Sequence, residues 1–305
     1  MLLPSFSIVV PTYRRPHQLA DCLRSLAALD YPRDRFEVLV VDDGGDTPLD
    51  TTVGPFRSGL RITLVRQDNA GPAAARNTGA QHAKGEFIAF TDDDCVVERS
   101  WLAELARVLG ADPECMVGGK TVNAAPQICS TASQLIVDVV YRHYNADPAY
   151  ARFVASNNLA LPAASFRELG GFDPTYRTAE DRDLCDRWRH RGRRIVYAAG
   201  ARVHHGRSMD LRAFWRQHFS YGRGAERFSR LRAKRGSGSM LVESRFHLDV
   251  RNWLWYPLTR VPRRHVVSMA ALLGVWQVAN LAGFVWEKVH RGTNGPRDGA
   301  LSYSG

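Results

Sequence analysis

Two carboxylate clusters follow short apolar runs in the first hundred residues: Asp42-Asp43 after Val38–Val41, and Asp92-Asp93-Asp94 after Phe87–Phe90. Carboxylates crowded at one place repel one another and are stabilised mainly by sharing a cation. Hard oxygen ligands select Mg2+ or Mn2+, and a ligand's phosphate oxygens commonly complete the shell. Asp is also common in solvated turns, but three in succession after an apolar run favour the cation. A third acidic pair, Glu180-Asp181, opens a segment with helical spacing through Leu184, Cys185 and Trp188. Such a pair complements a helix dipole, and a carboxylate there could also act as a general base. His204-His205 adds imidazole nitrogens after a short strand. Side chains alternate along an extended segment, so only one of the two can face a given site; His205 is favoured.

These residues need a scaffold that gathers them. Phe6–Val10, Val38–Val41, Ile62–Val65 and Phe87–Phe90 read as strands. Between them, Leu19, Cys22, Leu23 and Leu26 follow helical spacing up to Tyr31-Pro32, and Pro72–Ala83 is Ala-rich. Strands separated by helices predict an α/β fold with a mostly parallel, Rossmann-like sheet flanked by helices. In such sheets ligands bind at the carboxyl ends of the strands, where the acids fall. Further helices are expected over Trp101–Leu109 and Asp183–His190, with a short strand at Ile195–Tyr197; the region Val137–Tyr144 is ambiguous.

Bulk composition narrows the function classes. The 305 residues carry a net charge of +10, and only four of the 41 basic residues are lysines, which leaves 37 arginines. Arginine binds phosphate bidentately, so anionic partners suit this bias; a nucleic-acid partner is not expected, because no zinc-finger, helix-turn-helix or RNA-binding signature accompanies it. Five scattered cysteines without C-x-x-C spacing point to a reducing compartment, and no cleaved secretory leader is read at the start. No P-loop pattern G-x-x-x-x-G-K-[ST] occurs, which removes the ATPase reading of the acidic strand ends. A receiver-like acidic pocket would need a later strand-end lysine, and none lies between Lys120 and Lys234.

Towards the end, residues 231–240 read as a basic Gly/Ser linker and 241–305 as a helical extension. Val266–Trp286 has no charged residue, follows Arg260, Arg263 and Arg264, contains Trp276 and Trp286, and lies near Trp253 and Trp255. Its length suits a bilayer span of about 20 residues, but Ser268, Gln277 and Asn280 dilute it. A helix lying in a membrane surface is the favoured reading, with peripheral contact through 251–290. The alternatives are a span, or burial against the catalytic domain or a second copy in a homodimer.

Several blocks, taken in order, resemble family-two glycosyltransferases with the GT-A fold. They are Ile8-Val9-Val10-Pro11-Thr12-Tyr13-Arg14-Arg15, Val40-Val41-Asp42-Asp43-Gly44, Asn69-Ala70-Gly71-Pro72 with Ala75-Arg76-Asn77, and Gly85-Glu86 leading to Asp92-Asp93-Asp94. Asn157-Asn158, Gly170-Gly171-Phe172-Asp173 and Glu180-Asp181-x-Asp183-Leu184 continue the series. The resemblance implies a catalytic domain over 1–230, with a nucleotide-binding half at about 1–110 and an acceptor-binding half at 111–230. It implies an inverting transferase that moves a sugar from a UDP, GDP or dTDP donor to a hydroxyl of a glycan or lipid-linked acceptor. Pro11, Thr12, Tyr13, Arg14, Asp42, Asp43, Arg76, Asn77, Asp92 and Asp93 would line the donor, with Asp43 favoured at the base. Asp94 would bind Mn2+ or Mg2+ directly, with Asp92 and one of His205 or His204 near the metal; Asp93 fills the variable position and could simply point to solvent. Asp181 would be the base, Glu180 its neighbour near the acceptor, and Asn157 and Asn158 acceptor-facing. Work on cell-envelope polysaccharide at the cytoplasmic face of a membrane would follow. A nucleotidyltransferase is the alternative enzyme, but Pro11–Arg15 lacks its Gly-rich loop; a non-catalytic nucleotide- or glycan-binding protein is the other.

Overall fold

A computed structural model describes residues 3–238 and 245–290. Eight strands form one sheet in the order β3-β2-β1-β4-β7-β6-β8-β5. The strands are β1 Phe6–Thr12, β2 Phe36–Asp42, β3 Ile62–Arg66, β4 Phe87–Phe90, β5 Cys95–Val97, β6 Met116–Asn123, β7 Leu159–Pro162 and β8 Ile195–His205. Strands β1 to β4 are mutually parallel, β7 runs antiparallel between β4 and β6, and β5 closes the far edge antiparallel to β8. Because β7 is reversed, its entry, not its exit, lies beside the carboxyl end of β4, with Phe90 opposite Leu159.

The main helices are α1 Pro16–Ala27, α2 Asp50–Val53, α3 Pro72–His82, α4 Trp101–Ala111, α5 Ile128–Tyr144, α6 Ala163–Glu168, α7 Glu180–His190, α8 Leu211–Arg235 and α9 Val266–Val289, with short helical turns at Arg251–Trp255 and Tyr256–Leu258 before the last. They cover both faces of the sheet, and two apolar cores result. One joins Ile8, Val10, Val38 and Val40 to Leu19, Leu23 and Trp101; the other joins Val9, Val41 and Phe90 to Phe166, Phe172 and Trp188. Every residue of β1 is buried, as expected of a central parallel strand covered on both sides. Helix α3 sits close on the sheet because Gly79 has no side chain: a Cβ there would stand 2.4 Å from Val9 Cγ1. That proximity sets Arg76 and Asn77, one turn earlier, at the strand ends.

The predicted strands and helices of the first hundred residues are present. The ambiguous stretch around Val137–Tyr144 is the second half of α5, and the short strand at Ile195 continues to His205. The expected linker at 231–240 starts inside a helix: α8 runs to Arg235, which pairs with Asp183 and Asp186. Its remainder from 239 lies outside the described residues. The C-terminal helix α9 packs on α8 through mutual close approach. A Cβ on Gly222 would fall 1.9 Å from the Asn280 carbonyl, and one on Gly283 1.9 Å from that of Phe219.

Candidate active site

The carboxyl ends of β1, β2 and β4 lie side by side, with Thr12 in register with Asp42. After β4, Asp92 to Cys95 forms a turn closed by Cys95 N–H donating to the Asp92 carbonyl at 3.1 Å. In a turn, side chains do not alternate as they do in a strand, and the three acids take three environments. Asp93 is buried, accepting from Thr12 Oγ1 at 2.8 Å and from Arg15 Nη1 at 3.3 Å. The solvent-facing reading of Asp93 is therefore corrected. Burial, then the charge of Asp94, pushes its pKa up to about 6, against the pull of Arg15.

Asp94 accepts from Arg15 Nη1 at 3.0 Å and stands 3.2 Å from His205 Nε2. Burial alone would raise its pKa; the hydrogen bond and charge of His205, together with Arg15, outweigh that and hold it at about 2. His205 is raised in turn, because Asp94 overcomes the burial that would lower it. His204 turns away and meets Glu98 Oε1 at 3.0 Å, so the strand's alternation removes it from the Asp94 site. Asp94, Cys95 and His205 bring potential ligand atoms within 4.8 Å of one another. A hard cation prefers the carboxylate oxygen and the imidazole nitrogen of this set to the soft sulfur of Cys95. That set fits Mn2+ or Mg2+.

Asp92 is tied instead to α7. Arg76, buried on α3, donates from Nη2 to Asp92 Oδ1 at 2.7 Å and from Nη1 to Glu180 Oε1 at 3.0 Å. One guanidinium thus joins the acidic turn to the acidic helix start. Burial, then the neighbouring Asp181 charge, raises Glu180 to about 7, and desolvation raises Asp181 as well. The Asp181 carboxylate accepts from the Arg182 N–H at 2.8 Å and is partly exposed. Ala179, just before this pair, holds φ at +72° without being glycine, a strained conformation of the kind that clusters at functional sites. Asn77 clamps the preceding turn, donating to the Phe172 carbonyl at 2.7 Å and accepting from its N–H at 2.9 Å.

Other nominated residues divide between the site and its supports. Pro11 is buried at the end of β1, and Tyr13 is partly exposed beneath the Arg14 guanidinium. Arg14 itself pairs outward with Asp46 at 2.7 Å. The inward cation is Arg15, which was not nominated; Arg14's φ of +56° reverses the chain between them. Arg207, whose charge is felt by both Asp94 and His205, was also missed. Asp42 accepts from Gly45 N–H at 2.9 Å and lines a cleft with Arg14, Pro16 and Asp46. Asp43 is committed to the next loop, accepting from Gln67 Nε2, Ala70 N–H and Gly71 N–H at 2.7, 2.9 and 2.9 Å.

Asn157 is partly exposed and accepts from Thr121 Oγ1 at 3.2 Å. Asn158 is fully buried and cannot face an acceptor. It accepts from Trp101 Nε1 at 2.8 Å and donates to the carbonyls of Ala201 and Lys120 at 3.0 and 3.2 Å. Asn158→Ala strands these buried groups and is expected to lower unfolding stability by about 1–3 kcal/mol, read by denaturant titration. Donor binding at the remaining folded fraction should be unchanged.

The chain matches the model of glycosyl transferase family 2 over residues 7–148 and that of glycosyl transferase family group 2 over residues 87–288. It is 30% identical over 227 residues to a pre-mycofactocin glycosyltransferase of Mycobacterium tuberculosis, covering 72% of this chain and 46% of that protein. It is 32% identical over 120 residues to glycosyltransferase AglE of Haloferax volcanii, covering 38% of this chain and 39% of the other. The chain therefore spans less than half the length of these curated relatives. Among solved structures, mannosyltransferase PcManGT from Pyrobaculum calidifontis, in complex with GDP-Man and Mn2+, superposes with a TM-score of 0.69 at 19% identity. That match covers 94% of this chain and 88% of the other. Staphylococcus aureus TarS 1–349 follows at 0.59 and 18%, over 96% and 93%. These likenesses establish the GT-A-like fold, and with a family model spanning residues 87–288, about two-thirds of its length, the chain belongs to glycosyl transferase family group 2.

Proposed function

We propose that the chain is an inverting glycosyltransferase that moves a sugar from a nucleoside-diphosphate donor to an acceptor hydroxyl. The observation that carries this reading is the Asp92–Arg76–Glu180 bridge, which ties the acidic turn after β4 to the start of α7. Through one guanidinium it joins the turn that carries Asp94 to the helix start that carries Asp181. A bound Mn2+ or Mg2+ would neutralise the diphosphate as negative charge grows on the leaving group. The chain's own residues do the rest. Asp94 and His205 would hold the cation, and Arg15 fixes Asp94. The cleft beside Asp42 and Gly45 is the proposed seat of the base and ribose. Asp181, raised in pKa yet partly open, takes the acceptor proton as its oxygen attacks the anomeric carbon from the side opposite the diphosphate. One displacement inverts the configuration.

Names of relatives support the donor class: PcManGT was solved with GDP-Man and TarS with UDP-GlcNAc. Incubation with UDP-, GDP- and dTDP-sugars in Mn2+ should release nucleoside diphosphate from one donor class and stop in EDTA. Release from none would sink the proposal, and release unaffected by EDTA would remove its metal.

The extension fits a lipid-side acceptor. Helix α9 is apolar and long enough to cross a bilayer, but one face is packed on α8. Val267, Val278, Leu281, Val285 and Val289 remain exposed on it, with Trp255 nearby in sequence and Arg263 and Arg264 at its start. An apolar stripe with a cationic end lies on an anionic surface better than it spans one. The protein should sediment with phosphatidylglycerol vesicles at the inner-leaflet charge density. Val278→Asp with Leu281→Asp should cost at least tenfold in partitioning, since burial of each side chain contributes about 1.5–3 kcal/mol. Equal sedimentation of the variant would exclude α9 as the contact.

A further inference from the structure

Helix α7 carries Arg182, Asp186 and Arg189 at a spacing that aligns them on one face. This row starts one residue after Asp181 and extends about 10 Å along the helix. It forms one wall of a cleft whose other walls include Tyr144, Arg152 and Phe153. The Arg152 and Arg182 guanidinium carbons each lie 5.4 Å from the centroid of the same Tyr144 ring. Two cations are thus held on one aromatic ring, which orients their planes.

The carboxylate in the cleft is already shared with other cations. Asp186 is buried and already bound by Arg232 Nε at 3.1 Å, Arg235 Nη2 at 2.9 Å and Ser237 Oγ at 2.6 Å. Among the described residues, neither Arg152 nor Arg189 makes an ion pair with a carboxylate. Desolvation, then the charges of Arg152 and Arg232, lowers the pKa of Arg189, so these cations are packed together against their mutual repulsion. Planar guanidiniums held in this way match the bidentate geometry of phosphate oxygens.

We infer that the cleft of Arg152, Arg182 and Arg189 is an acceptor subsite for a phosphate group, so that the acceptor is a phosphorylated molecule whose hydroxyl reaches Asp181. This rests on the proposed acceptor side at Asp181. The phosphate could belong to a soluble sugar or polyol phosphate or to a lipid headgroup, and one experiment separates them.

The intact protein is heated in EDTA with inorganic phosphate, glycerol phosphate, or acetate and chloride at matched ionic strength, and the same is done for Arg152→Gln with Arg189→Gln. Wild type should be stabilised by the phosphates by a few degrees, about 3–5 °C near saturation, beyond acetate and chloride. The double variant should lose that gain while its response to nucleoside diphosphate with Mn2+ stays as in wild type. Sedimentation with phosphatidic-acid vesicles gives the source when both proteins also carry Val278→Asp and Leu281→Asp, which remove the α9 contact: loss of binding on adding Arg152→Gln and Arg189→Gln assigns a lipid phosphate, binding unchanged by them a soluble one. Phosphate stabilisation no greater than acetate, or equal in wild type and variant, would overturn the subsite. Because the nucleotide response is read separately, that failure leaves the donor reading standing, and a missing nucleotide response is a failure of the donor reading alone.

Discussion

Asp181→Asn is expected to bind donor as tightly as the wild type and to lose transfer by about 10²–10⁴-fold, the usual contribution of a positioned general base. The substitution keeps the side chain's size and its acceptance of the Arg182 N–H while removing the proton acceptor. The wild-type pH profile carries the same signature. Asp181 and Glu180 share a desolvated helix start, and Glu180 is raised to about 7 by burial and by the charge of Asp181. Such a pair titrates as a unit. The active form is deprotonated, so transfer should rise with pH along a limb above the usual carboxylate range and fall as pH drops through it. Glu180→Gln removes the neighbouring negative charge, which makes Asp181 easier to ionise and moves that limb to lower pH. Initial rates of nucleoside diphosphate release between pH 5 and 9 check both. A limb that stays in place in Glu180→Gln, or transfer undiminished in Asp181→Asn, removes the base from Asp181.

Arg76→Met should be the most damaging single change to stability, costing about 3–5 kcal/mol. Removing one partner of a buried ion pair leaves the other charge uncompensated, and here two carboxylates lose the same cation. The deficit depends on pH in a definite direction. Glu180 already has a raised pKa, and without Arg76 it rises further. Below about pH 7 it becomes neutral and no longer needs the cation, so the loss is largest above neutrality and shrinks as pH falls. Adding Glu180→Gln to Arg76→Met should recover part of the loss at high pH. Urea titrations of the three variants at pH 6 and pH 8.5 read this. A deficit independent of pH, and not relieved by Glu180→Gln, would mean that the Glu180 pair contributes nothing to it.

Much of the first hundred residues could be read from the sequence because the central strands β1, β2 and β4 are almost entirely buried. Val38–Val41 and Phe87–Phe90 are uninterrupted apolar runs, and their acids fall where a parallel sheet presents its carboxyl ends. The second half hides its strands. Strand β6 contains Gly118 and Gly119, which break any apolar pattern, and they are needed because a Cβ on Gly118 would meet Val154 at 2.2 Å. In the first half only β5 is hidden in the same way, with three residues, too few for a period. At the site, residue type did not reveal direction. Arg14 and Arg15 are chemically alike, and only the left-handed backbone at Arg14 sends the second one inward. Asn157-Asn158 looked like one polar pair, but the start of β7 buries its second member against Trp101. The pairing of Arg76 with both Asp92 and Glu180 spans 16 and 104 residues, so only the tertiary fold could bring it to light.

The central claim is that Asp94 and His205 hold a divalent cation through which the donor's diphosphate binds. Thermal unfolding with UDP, GDP and dTDP, each with Mn2+ or with EDTA, tests it most directly when wild type and Asp94→Asn are compared. One nucleoside diphosphate should raise the wild-type melting temperature by roughly 5 °C at a hundredfold excess over its dissociation constant, only when Mn2+ is present. Asp94→Asn should lose that gain. Stabilisation as large in EDTA as in Mn2+, or unchanged in Asp94→Asn, would contradict the claim.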